Sequence, residues 1–365
     1  MSIQRTTNLV NRRRFLATSA VASTTAALGP MVLAANKTDG DIIVGSGDYQ
    51  YRVVHNWPQL PEKFQWQTTH NVAVDSQGCL YVIHQGSEEP LGQPTIFVFD
   101  PEGQYVRSFG QQFDGGGHGI EVHEEDGQEF LYVCAYKAVK TFAKLDLQGE
   151  IVWQRHAPMD AGVYAADENT KRENVWGRDR FLPTNVTFLP DGDVLLADGY
   201  GSYLIHRYDT DGNWKSSFGG PGDGEGKFNL PHGIWVDRRS DEPQLVVCDR
   251  AHHTLQYLTL DGKHLRTQEG FGLPANVDTF GDLMVVPELM ARVTLLGPDG
   301  TVVARLGDDT ERIGEDKEFA IRKDPSRWLG GRFIHPHDAC FDHQGNIIVA
   351  EWVGTGRVSK LIRVG

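Results

Sequence analysis

A short pattern returns six times along this chain and constrains its fold more than any other feature. The clearest copy reads Pro231-His232-Gly233-Ile234-Trp235-Val236-Asp237, then a turn, then Gln244-Leu245-Val246-Val247-Cys248-Asp249. Matching openings stand at His70-Asn71-Val72, His118-Gly119-Ile120, Pro183-Thr184-Asn185, Pro274-Ala275-Asn276 and Pro336-His337-Asp338. Most copies continue into a third apolar run, an Asp-Gly turn such as Asp211-Gly212 or Asp261-Gly262, and a fourth run. Short alternating runs between Gly and Asp turns every ~8–12 residues read as all-β. Units of roughly 40–60 residues with four strands each read as the blades of a six-bladed β-propeller. A two-sheet sandwich would not produce six similar units.

The stretch from Phe218-Gly219-Gly220 to Phe228-Asn229-Leu230-Pro231-His232-Gly233 resembles the inter-blade signature of the NHL-repeat six-bladed propellers. That resemblance covers about residues 40–365. The last unit has no fourth run of its own, whereas segment 49–55 is strand-like and precedes the first unit. It is expected to fill the vacant outer place, so that the ring closes on an N-terminal strand and hides its edges. Two insertions interrupt the spacing, at 157–181 and 308–334, each immediately before an inner strand. The second carries the one hint of helical periodicity, near 310–322. Loops on a rigid scaffold often carry function, so both are candidates for a lid or substrate wall, against the alternative of a decorated surface.

Composition narrows the function. The chain has 365 residues, 41 of them Gly, and a formal charge of −14. Non-specific nucleic-acid binding rests on basic groups displacing counterions, so that class is excluded. Asn11-Arg12-Arg13-Arg14-Phe15-Leu16, a mildly apolar run and the small residues Ala34-Ala35 resemble a bacterial twin-arginine signal peptide over residues 1–35. The run is too short and too polar to span a bilayer comfortably. Residues 36–365 are then the propeller, delivered by the twin-arginine export machinery to the periplasm or outside the cell, with no membrane segment in the mature form. Cys79, Cys134, Cys248 and Cys340 form no CxxC pair, which argues against a cysteine zinc site. Cys134 and Cys248 sit in apolar runs and read as buried free thiols.

The chemistry lies in the first residues of the six inner strands: His70, His118, Thr184, His232, Ala275 and His337. Innermost strands line the central channel, so these residues form one ring at one end of it. Alternate blades of a six-fold ring stand about 120° apart, so His118, His232 and His337 converge on the axis. Three imidazoles at ~2.0–2.1 Å with an open fourth position describe a catalytic zinc site; iron accepts the same ligands. His70 is a fourth ring member, read as a ligand, a donor behind the ligands or a channel-lining residue.

Asp198-Gly199-Tyr200, Pro231-His232-Gly233, Asp249-Arg250 and Pro336-His337-Asp338, in that order, resemble peptidyl-α-hydroxyglycine α-amidating lyase. The resemblance implies zinc on His118, His232 and His337, a catalytic Tyr200 and an active-site Arg250. It also implies a structural calcium on Asp338 and the carbonyls of Val72 and Ile120. Two departures bear on substrate: Gln85 stands where the family has Arg, and His335 where it has Met. Gln cannot supply the charge or fork of Arg, so a substrate other than the family's own peptide is expected. Gln85, His335 and His70 are then expected to face that substrate. The reading is an exported metal-dependent lyase, or a hydrolase, that cleaves a C–N or C–O bond in a small hydroxylated compound. The alternative is a non-catalytic NHL propeller that binds a protein or glycan through its two insertions.

Overall fold

The computed structural model describes residues 42–86 and 92–364; the signal-like segment 1–35 lies outside them. Six antiparallel sheets follow one another along the chain, each beginning with an inner strand. The inner strands are Thr69–Val74, Gly117–Glu125, Asn185–Phe188, Pro231–Asp237, Asp278–Phe280 and Pro336–Phe341. This is the all-β six-bladed propeller the repeats specify.

The closure also matches. Tyr49–Val54 pairs antiparallel with Arg357–Arg363, Tyr51 opposite Arg363 and Val54 opposite Lys360. A further strand, Ile43–Ser46, pairs outside it, so the closing blade has five strands rather than four. The helical hint near 310–322 becomes two short helices, Thr310–Glu315 and Ala320–Lys323. No helix among the described residues is long and apolar enough to cross a membrane. All four cysteines are free, and Cys134, Cys248 and Cys340 are buried.

Middle strands are buried on both faces and therefore read as unbroken apolar runs, such as Val194–Ala197 and Leu283–Glu288. Outer strands face water and turn polar, as in His264–Gln268. One apolar cluster fills each of the six blade interfaces. A seventh lies under the second insertion, around Ile313, Ile321, Ile334 and Val353.

The Asp-Gly turns have a packing role. An outer-strand aromatic of one blade sits on the turn glycine of the next: Phe109 on Gly149, Trp153 on Gly212, Phe218 on Gly262. At Gly262 φ is +90°, and a Cβ would lie 2.4 Å from the Phe218 ring. Left-handed backbone costs an L-residue roughly 1–2 kcal/mol, and displacing a packed ring adds more. Gly262→Ala is thus expected to destabilise by about 2–4 kcal/mol, seen as a lower urea midpoint with unchanged m. A midpoint equal to wild type would show that the turn is free to relax.

Candidate metal centre and substrate chamber

Each channel histidine stands on a break in strand register. The pairing of the inner strand with its neighbour shifts between Thr69 and Asn71, Gly117 and Gly119, Pro231 and Ile234, and Pro336 and Asp338. These breaks enclose His70, His118, His232 and His337. A bulge re-aims a side chain that regular pleating would direct into a blade face; here it turns each imidazole onto the channel.

The blades divide the work. His118 Nδ1 faces the Thr184 carbonyl at 2.8 Å, His232 Nδ1 the Ala275 carbonyl at 2.7 Å, and His337 Nδ1 the His70 carbonyl at 2.8 Å. Thr184, Ala275 and His70 are the ring residues of the intervening blades, so every second blade orients the imidazole of its neighbour. A carbonyl only accepts, so each Nδ1 must carry the proton and each Nε2 a lone pair. The ligand atoms of the three side chains lie within 4.8 Å of one another, and His118 Nε2 is 3.2 Å from His232 Nε2. Burial pushes the His118 imidazole down to about 3 and those of His232 and His337 well below the usual range. With both Nδ1 atoms donating and both rings neutral, that 3.2 Å contact brings two lone pairs together; the single Tyr200 hydroxyl proton can satisfy one of them, and a cation between the rings would satisfy both. Metal–nitrogen distances of ~2.0–2.1 Å place two tetrahedral ligand nitrogens roughly 3.3–3.4 Å apart. The donor set therefore fits a divalent transition metal.

His70 shares the design without joining the tight group. Its Nδ1 faces the Gly117 carbonyl at 2.9 Å, its ring lies 4.8 Å from those of His118 and His337, and its Nε2 is buried without a partner.

Tyr200 closes the triad on one side. Its phenol oxygen lies 3.0 Å from His232 Nε2 and 3.3 Å from His118 Nε2, and accepts from Arg250 Nη1 at 3.1 Å. Burial raises the phenol pKa, and the Arg250 charge opposes it without prevailing. Asp198 accepts from Leu182 N, Ser202 N and Tyr164 OH. Asp249 accepts from Asn229 N and Gln256 Nε2. Both shape turns, as their positions at strand ends suggest.

Tyr136 was not singled out in the sequence. Its ring is 5.0 Å from His118 and 5.4 Å from Tyr200, and its hydroxyl donates to Gln85 Oε1 at 3.1 Å. Gln85 thus connects to the surroundings of His118 through Tyr136. His335 is buried and not turned to solvent, but its Nδ1 is held by the Leu289 carbonyl at 2.6 Å and its ring sits between Phe319 and Trp352. It belongs to the wall under the second insertion and touches no triad residue. The first insertion is welded down as well. Buried Glu168 accepts from Phe181 N and pairs with Lys140 and Arg180, while Trp176 lies 5.2 Å from Tyr200.

At the other end of the channel a cavity of about 250 Å³ is lined by Glu121, Asn276, Asp278 and Asp338. Asp338 accepts from Val72 N at 2.8 Å and Asn276 Nδ2 at 2.6 Å. Val72 thus presents its N–H to this carboxylate. Burial raises Asp338 to about 7 and Glu121 well above its ordinary range.

Comparison with known proteins agrees with the architecture. No protein-family model matches the chain. A human protein described as NHL repeat-containing protein 3 is 25% identical over 217 residues, 58% of this chain and 57% of that protein. A streptogramin B lyase superposes with a TM-score of 0.54 at 11% identity, covering 87% of this chain and 99% of the lyase. A gluconolactonase from Xanthomonas campestris gives 0.54 at 13% identity, covering 86% and 89%. At these identities the structural likeness concerns the fold.

Proposed function

We propose that this propeller is an exported metal-dependent enzyme of the amidating-lyase kind, cleaving a C–N or C–O bond of a small hydroxylated substrate. The observation that carries the reading is the pair of imidazole lone pairs facing each other at 3.2 Å, with both Nδ1 protons committed to carbonyls. His118, His232 and His337 would hold zinc or iron, and the bound metal supplies Lewis acidity at the open side of the triad.

The chain's own groups account for the rest. A dication held by the triad would add to the Arg250 charge and favour the Tyr200 phenolate against burial; in that form Tyr200 Oη, beside two ligand imidazoles, takes the proton of the substrate hydroxyl. A carbonyl forms at that carbon as the bond to nitrogen or oxygen breaks. The leaving atom keeps the electron pair and receives the proton from Tyr200. Arg250 steadies the phenolate through Nη1 and leaves Nε and Nη2, both buried without a partner, for an anionic group of the substrate. Trp176, Tyr136 and the second insertion restrict water. At the opposite end, the surplus buried carboxylates Asp338 and Glu121 support a structural calcium, with main-chain oxygens of Val72 and Ile120 as further ligands. Export through the twin-arginine route to the periplasm belongs to the same reading.

Elemental analysis of the mature protein, expected to give about one zinc or iron per chain, tests the centre. The reaction is tested with a peptidyl-α-hydroxyglycine model compound. Gln85 offers an amide where that substrate's carboxylate would call for a cation. Loss of one charged contact commonly costs ~2–5 kcal/mol, or roughly 30- to several-thousand-fold in rate. Wild type should turn the compound over poorly, and Gln85→Arg should improve it. Efficient wild-type turnover would restore the family's own substrate. The binding-propeller reading keeps one observation of its own: Trp176, Phe319 and Leu329 on the insertions are about half exposed. A chain free of metal and inert to small hydroxylated compounds would favour it.

A further inference from the structure

Two guanidinium groups at the triad end of the channel have no carboxylate partner among the described residues. This is unusual here, because the chain carries 49 acidic against 35 basic side chains. Several covered arginines pair with carboxylates, Arg357 with Glu351, Arg292 with Glu288 and Arg239 with Asp237, while Arg107 bonds the Tyr81 hydroxyl and the Leu147 carbonyl. Burying an unpaired charge is costly, so the unbonded nitrogens of buried Arg250 need a reason.

Arg250 is 5% exposed; only Nη1 is bonded, to Tyr200, and Nε and Nη2 are buried without partners. Arg322 comes from the short helix Ala320–Lys323 of the second insertion. Its Nε donates to the Trp352 carbonyl at 2.8 Å, and its guanidinium lies 3.5 Å from the centre of the Trp352 ring. Nη2 makes a long contact of 3.4 Å with Thr68 Oγ1; Nη1 makes no hydrogen bond. The Thr68 carbonyl in turn accepts from Gln85 N at 2.8 Å, so Arg322 is docked at the edge of blade one where Gln85 stands. Its charge acts on His70, His335 and Tyr136. Arg250 follows the second strand of blade four. Arg322 instead bridges Trp352 of blade six and Thr68 at the entry to blade one, so the two guanidiniums approach the triad end from different blades.

We propose that Arg250 and Arg322 are the two poles of the substrate chamber, and that its substrate is a small dianion of the hydroxylated dicarboxylate class. The proposal rests on the enzyme reading above for the role of the triad between the poles. One carboxylate meets Arg250 beside Tyr200. The other meets Arg322, whose ring-stacked plane and free Nη1 edge suit a fork of two oxygens. The insertion therefore sets specificity by carrying a cation to the side of the ring where blade one offers only an amide.

The test is calorimetric binding of succinate and glutarate against butyrate and valerate, with chelator-treated and metal-loaded protein measured in parallel. Dicarboxylates should bind roughly ten- to a hundredfold tighter than monocarboxylates of equal length, the usual worth of one charge-assisted contact. Arg322→Gln should abolish that preference, and Arg322→Lys should restore part of it. Equal binding of the two ligand classes by wild type, or a preference that survives Arg322→Gln, would overturn the proposal. The chelated arm separates the two readings. A preference present without metal upholds the poles even if the triad holds no ion, and a metal-bearing protein without preference refutes the poles alone.

Discussion

Replacing His232 by Ala is expected to abolish the transition-metal binding proposed for the triad. Wild-type protein recovered from metal-replete cells should carry about one ion per chain. Disturbing a mere partner of a metal ligand typically costs 10–100-fold in affinity, so removing one of three ligands should cost at least that. His118→Ala and His337→Ala should behave alike, because the three side chains occupy equivalent places on alternate blades. His335→Ala, whose imidazole is held by the Leu289 carbonyl away from the triad, should keep its metal. The loss should also be visible in stability. A ligand at a thousandfold excess over Kd adds about 4 kcal/mol, which is several degrees of Tm in a chain of this size. The ligand variants should therefore melt like chelated wild type and gain nothing on adding zinc. Full metal content in His232→Ala would falsify the three-histidine centre.

The second large effect is acid instability that does not depend on metal. His55, His84 and His206 lie away from the triad, and burial holds their imidazoles down to about 3, 4 and 3. Hydrogen bonding gives the same answer by geometry. In each ring one nitrogen accepts an N–H: His55 Nε2 from Gly331, His84 Nδ1 from Gln67, His206 Nδ1 from the Trp214 indole. A protonated imidazole has no lone pair for these donors. Folded-state pKa values below the unfolded ~6.5 mean that the unfolded chain binds more protons in acid. The stabilisation is complete above about pH 6.5 and is lost as pH falls toward 4. Each group contributes a slope of up to ~1.4 kcal/mol per pH unit, so three together approach ~4. Against a typical total of 5–15 kcal/mol, chelated protein should unfold cooperatively between roughly pH 5 and 4. His206→Gln should start from lower stability but show a slope shallower by up to ~1.4 kcal/mol per pH unit. A Tm unchanged from pH 7 to pH 5 in chelator would show that these rings tolerate protonation.

Much of this molecule was legible before any coordinates. The six-fold return of one strand pattern specified the propeller, because each unit cannot bury its faces without neighbours on both sides. Counting blades then placed His118, His232 and His337 at one end of one channel, since rotational symmetry converts sequence order into angular position. Even the closing strand at Tyr49–Val54 could be assigned from the one vacant place in the last blade.

Tertiary structure decided what symmetry does not encode. The bulges that turn the imidazoles inward, and the Thr184, Ala275 and His70 carbonyls that set their tautomers, depend on backbone groups common to every residue type. No side-chain pattern announces them. The insertions lie outside the repeat, so nothing in their spacing could say that Arg322 would dock on Trp352 beside Thr68, or that His335 would face Phe319 rather than the triad. Their positions follow from a separate small core around Ile313 and Ile321, packed by shape and not by register. Repetition made the scaffold readable because the same physical problem is solved six times, whereas each non-repeated wall of the chamber is solved once, by contacts between residues far apart in the chain.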